Sequence, residues 1–154
     1  MIPIADLLPA DHISLDLAAT APAEAIAEVA ALVKGDVAVI DWSALLSGVK
    51  ASAPCLEEAE CDFAMCLPHT RGDCVTGMVM SVGRSAAGIA FPGVALPVRY
   101  VFCIAVPRAL AADYLRIVGL LARVFKDPAA ECELRAAETA GDFISLLSRR
   151  EARL

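Results

Sequence analysis

The chain is poor in aromatic side chains, poorer in histidine, and short of positive charge. Aromatics make up 5% of the 154 residues, and the only histidines are His12 and His69. With so few rings, Ala, Val, Leu and Ile must do most of the packing, and a hydrophobic fraction of 58% argues against disorder. Thirteen Lys and Arg stand against nineteen Asp and Glu, for a net charge of −6. Such a chain lacks the broad basic face that phosphate neutralisation requires, so nucleic acid is not an expected partner. A local basic patch that meets a partner protein stays open. Long apolar runs are missing too. The uncharged window 86–97 is too short to span a bilayer and holds Gly88, Pro92 and Gly93, so no membrane insertion is expected. The start, Met1-Ile2-Pro3-Ile4-Ala5-Asp6, has no basic region of the kind an export signal carries, and a cytoplasmic location is the expectation.

Six cysteines are present, at 55, 61, 66, 74, 103 and 132, and none form C-x-x-C. In a long apolar chain without an export signal they read as free, mostly buried thiols. Cys61, Cys66, His69 and Cys74 are the one alternative, a metal site or thiol sensor. Their spacing is not that of a known zinc knuckle, and no metal or other cofactor is expected.

What the chain does have is Cys66-Leu67-Pro68-His69-Thr70-Arg71. Phe63, Met65 and Leu67 alternate with Asp62, Ala64 and Cys66, the period of a strand. Pro68 has no N–H for a ladder, which predicts that the strand ends there and that His69 sits just beyond it. A hydroxyl and a permanent cation follow within two residues of the imidazole.

The rest of the chain alternates between helix and strand signals. A helical turn is expected over 3–8 and a strand over 13–17. Thr20 and Pro22 mark the start of a helix running to 34, stopped by Gly35. The state of 37–40 is open. Asp41 caps a helix over 42–49. Residues 50–61 carry Pro54 and three glutamates and read as an exposed acidic loop. Strands are expected over 75–82, 88–91 and 98–106. The last is almost continuously apolar, as an interior strand covered on both faces should be. Helices follow over 110–125, 129–137 and 140–149, the first carrying Leu110, Tyr114, Ile117, Leu121 and Val124 at helical spacing. His12 is expected on the N-terminal surface. Helices outside a strand set too closely spaced for helical crossovers predict a single domain, 1–154, of α/β class: a three-layer α/β/α sandwich with a mixed sheet.

In this order the elements resemble the enzyme IIA domain of the fructose–mannitol class of the bacterial sugar phosphotransferase system, including its nitrogen-regulatory branch. The resemblance lies in "ADLLPADHISLDLAATAPAEAIAEVAALV", "CLPHTR", "GIAFPGVALPVRYVFCIAVP", "ADYLRIVGLLARVFKD" and "LRAAETAGDFISLL". It implies phosphoryl transfer through a histidine, received from the histidine-containing phosphocarrier protein. The group is then passed to an enzyme IIB partner, or its presence regulates a target protein. The matching histidine is His69, with Thr70, Arg71, Tyr114 and Arg116 as candidate groups around the phosphoryl. Two departures stand out. Tyr114 occupies the place of the family's second histidine. The loop 52–58 lacks the family's glycines and has Ala53 where an arginine is usual, leaving Arg71 and Arg116 as the cations to compensate. A regulatory interaction module that keeps the fold without phosphotransfer is the alternative.

Overall fold

The computed structural model describes residues 1–153. Its centre is a mixed sheet in the order β1-β5-β6-β3-β2, with β4 also on β6. The strands are β1 Ile13–Ser14, β2 Cys55–Glu58, β3 Phe63–Cys66, β4 His69–Arg71, β5 Val79–Ile89 and β6 Val98–Val106. The helices are α1 Ile4–Leu7, α2 Pro22–Ala31, α3 Trp42–Ala51, α4 Ala111–Lys126, α5 Pro128–Ala136 and α6 Ala140–Glu151.

Strand β6 shows why the chain forms three layers. Tyr100, Phe102, Ile104 and Val106 pack into one core with α1, α4, α5 and α6. Val101, Cys103 and Ala105 pack into a second core with α2 and α3. Because successive strand side chains point to opposite faces, an apolar run of this kind needs a cover on each side. The scarce aromatics gather in the first core, where the Tyr100 and Phe125 rings lie 4.6 Å apart and the Phe63 and Tyr100 rings 5.6 Å apart. Asp41 accepts from the Ala44 N–H and caps α3 as expected.

Several expectations are corrected. The acidic segment after Pro54 is a strand, not a loop: β2 runs antiparallel to β3, pairing Cys55 with Cys66. Its half-buried side chains conceal the alternation that would mark it. The strands expected over 75–82 and 88–91 are one strand, β5, whose register against β6 shifts between Arg84 and Ile89. Pro68 interrupts the ladder without ending it. The Ile104 N–H donates to the Pro68 carbonyl, and β4 resumes pairing with β6 in parallel, His69 opposite Ile104. Helix α2 is capped at Ala21 with no side-chain bond, so Thr20 is not its cap.

His12 is 5% exposed and belongs to the interior, not the surface. Its Nδ1 donates to the Met80 carbonyl at 3.0 Å, and its Nε2 lies 3.5 Å from the Asp36 carboxylate. It fastens the N-terminal turn to β5 and to the turn after α2. Cys66, Cys74 and Cys103 are buried and all six thiols are free. Among the described residues, no helix is long and apolar enough to cross a membrane. Nor is there a group of three or more His, Cys, Asp or Glu side chains able to hold a metal ion.

Candidate functional site

Strands β4 and β6 run parallel and end together, and a cleft of about 450 Å³ opens where they do. Ligands of α/β sheets favour this end of the strands. Gly48, Ser52, His69, Thr70, Arg71, Val106, Arg108 and Tyr114 line it.

Register decides which side chain faces which helix. His69 and Arg71 lie opposite Ile104 and Val106, whose side chains face the α4 layer, while Thr70 lies opposite Ala105, which faces α3. The His69 ring accordingly lies against Tyr114 of α4, with centroids 5.1 Å apart. Thr70 packs onto Gly48 of α3. A Cβ there would fall 2.2 Å from the Thr70 hydroxyl oxygen, so only glycine lets helix and strand approach this closely.

Backbone bonds hold His69 in place. Its N–H donates to the Ser52 carbonyl at 2.9 Å. Its Nδ1 lies 3.0 Å from the Leu67 carbonyl oxygen, which can only accept, so Nδ1 carries the proton. The neutral ring therefore keeps its lone pair on Nε2, which has no hydrogen-bond partner among the described residues. The ring is half-buried, neither sealed in nor loose.

The charge around it is positive. Arg71 and Arg108 are exposed, and neither pairs with a carboxylate among the described residues. In a chain of net charge −6, two unpaired guanidiniums beside one imidazole form a local anion-attracting spot. Burial pushes the Tyr114 phenol above its ordinary range, so it remains an O–H donor.

Of the candidates read from sequence, the cleft brings together His69, Thr70, Arg71 and Tyr114. Arg116 is not among its lining residues. It bonds Glu151 at 3.1 Å and the Ile2 carbonyl, in a separate cavity of about 460 Å³ near the N-terminus. Positions 114 and 116 are about 200° apart around a helix, so they cannot serve one site. Arg108 is the cation that sequence reading missed. Its signal was its place directly after Pro107, at the end of the interior strand.

A three-layer sandwich with a histidine at the parallel ends of its central strands narrows the class to a small α/β domain. A sequence model of the phosphoenolpyruvate-dependent sugar phosphotransferase system, EIIA 2, matches residues 6–150, and the chain belongs to that family. No curated protein sequence matches the chain. Among solved structures, the nitrogen regulatory protein IIA-Ntr from Neisseria meningitidis is 20% identical with a TM-score of 0.81, the match covering 94% of this chain and 98% of that one. IIA mannitol from Escherichia coli is 20% identical with a TM-score of 0.71, over 91% and 98%. The complex of enzyme IIA-Mtl with phosphorylated enzyme IIB-Mtl from Escherichia coli contains a chain 20% identical with a TM-score of 0.72, over 92% and 97%. At these identities the structural likeness speaks for the fold.

Proposed function

We propose that this enzyme IIA domain is a phosphocarrier that accepts a phosphoryl group on Nε2 of His69, and that its role is regulatory. The observation that carries the reading is the Nδ1 bond to the Leu67 carbonyl, because it leaves the nucleophilic lone pair on the ring nitrogen that no group among the described residues engages.

The donor is the histidine-containing phosphocarrier protein. In the transfer, the lone pair on Nε2 attacks phosphorus as the donor's N–P bond breaks. The donor ring leaves with that bond's electron pair as a neutral imidazole. His69 becomes a phospho-imidazolium whose Nδ1–H is still held by Leu67, so no proton has to move. Arg71 and Arg108 hold the spreading charge of the phosphoryl oxygens, and the Tyr114 hydroxyl is a further donor. Thr70, packed on Gly48, positions the strand. Arg116 has no part, because its guanidinium is engaged with Glu151 and Ile2. The phosphoryl group passes to an enzyme IIB partner, or its presence on His69 regulates a target protein. The complex of a structurally similar IIA with phosphorylated IIB supports a partner of the first kind.

Incubation with phosphoenolpyruvate and the upstream phosphocarrier chain tests this. The expected result is a mass gain of one phosphoryl group, lost at acid pH and absent in His69→Ala. No gain in the native chain overturns it in favour of an interaction module without phosphotransfer, and equal labelling of His69→Ala overturns the assignment to His69.

A further inference from the structure

Two cysteines that play no part in the phosphoryl chemistry face each other beside the site. Cys55 on β2 and Cys66 on β3 are directly opposed. The Leu67 N–H donates to the Pro54 carbonyl, which makes the neighbouring pair the hydrogen-bonded one and Cys55–Cys66 a non-hydrogen-bonded pair. Such pairs bring Cα atoms to about 4.5 Å, within the span a disulfide bridges. The two sulfurs also converge on one atom, the Ala53 carbonyl oxygen, at 3.8 Å from Cys55 and 3.5 Å from Cys66.

We propose that Cys55 and Cys66 are a reversible dithiol–disulfide pair that responds to low-molecular-weight disulfides and adjusts the setting of His69. The chemistry is two-step exchange. The Cys55 thiolate attacks one sulfur of a small disulfide, forming a mixed disulfide and releasing one small thiol. The Cys66 thiolate then attacks the Cys55 sulfur, closing the Cys55–Cys66 bond and releasing the second. Each cysteine gives up its proton on becoming a thiolate, and each small thiolate released takes one up. The small disulfide is reduced as the pair is oxidised.

The two residues are suited to different roles. Cys55 is half-exposed on the edge strand, where a small disulfide can reach it. The neighbouring Cys66 thiol holds the Cys55 thiol below the usual range, as an attacking group requires. Cys66 is fully buried, and its Cys55 neighbour together with burial pushes its thiol up. It therefore resists direct attack and acts second, on the adjoining sulfur. In a non-hydrogen-bonded pair the Cβ atoms sit at or inside the near end of about 4.5–5.5 Å, close to the about 3.5–4.5 Å of a disulfide. Closure needs only a small inward movement of Cys55, and a bond half-exposed on the edge strand is open to reduction.

The connection to His69 is short. Ser52 receives the His69 N–H, Ala53 receives both thiols, and Pro54 receives the Leu67 N–H. Leu67 in turn receives the ring Nδ1–H. Oxidation removes both S–H donors from Ala53 and pulls Cys55 across, so the segment holding the imidazole shifts. This stands independently of whether His69 carries a phosphoryl group.

The test uses the full chain with Cys132→Ser, since Cys132 is exposed and would otherwise pair between molecules. Oxidised glutathione is the probe and dithiothreitol the reversal. The expected product has lost two thiols and about 2 Da, yields a Cys55–Cys66 peptide, and reverts on reduction. It also shows displaced His69 imidazole resonances by NMR. Adding Cys55→Ser must abolish both the bridge and the displacement. Adding Cys66→Ser must leave a glutathione adduct on Cys55. A bridge between other cysteines, thiols that remain reduced while an exposed peptide thiol oxidises, or a Cys55–Cys66 bridge that leaves the His69 resonances in place would each overturn the proposal.

Discussion

Replacing Arg108 with glutamine separates positioning from charge at the cleft. Arg108 is exposed and bonds no carboxylate among the described residues, so its loss leaves no partner stranded, and the fold should keep its stability within about 0.5 kcal/mol. The transfer step should suffer. A hydrogen bond to a charged group contributes about 1.5–3 kcal/mol. A unit charge pair 4 Å apart interacts by about 1 kcal/mol in water and about 4 kcal/mol at an effective dielectric constant of 20. The cleft is open on one side, which places the loss near the lower end, about 1.5–2 kcal/mol. At 1.36 kcal/mol per decade that is roughly a 10- to 30-fold slower transfer. Quenched-flow measurement of phosphoryl transfer from the phosphorylated donor protein reads it directly. Arg116→Gln is the control with the opposite signature. It breaks the tie among α4, Glu151 and the N-terminal segment, so it should leave the rate intact and lower the melting temperature by about 2–8 °C, from a loss of about 1–2 kcal/mol. An Arg108→Gln rate within twofold of native, or a larger rate loss in Arg116→Gln, would refute the assignment of Arg108 to the phosphoryl group.

Gly48→Ala sets a methyl group 2.6 Å from the Thr70 Cβ. The overpacking should cost about 1–3 kcal/mol in urea unfolding and slow transfer as β4 moves. Glu131→Ala should cost about 3–5 kcal/mol. Glu131 is 1% exposed, and its removal leaves the partly buried Arg99, otherwise bonded to it at 2.6 Å, and the buried Tyr100 hydroxyl without their partner. Alkaline stability offers a third check. Burial, then the nearby Glu131 carboxylate, raise the Tyr100 phenol, and burial raises the Cys103 thiol. A group raised on folding stabilises fully below its unfolded value and loses that contribution as pH rises through the folded one. Stability should fall with pH above about 8.5 as unfolded thiols ionise and more steeply above about 10 as tyrosine joins. Tyr100→Phe should remove about 1.4 kcal/mol per pH unit from the slope above pH 10, and an unchanged slope counts against this account.

Legibility followed the reach of each signal. The two-faced apolar run of β6 and the amphipathic stripe of α4 are local periodicities, and both elements appear near the places the residues predict. Strand β2 was hidden because an edge strand with half-buried residues and glutamates has no clean alternation. His12 was misplaced because its burial depends on the Met80 carbonyl, 68 positions away. That Arg108 and not Arg116 lines the cleft has the same kind of cause. Helical geometry already turned position 116 away from Tyr114, while only the pairing of β4 with β6 brought Arg108 beside His69.

By itself the sequence determined that the chain packs apolar strands between helix layers, and it singled out one histidine beside a hydroxyl and a cation. Those features are written in composition and in neighbours a few positions apart. The tertiary structure decided which ring nitrogen is free, which arginines share its cleft, and which cysteines stand opposed. Each of these depends on backbone groups brought together across the sheet, and side-chain periodicity does not encode the register between distant strands.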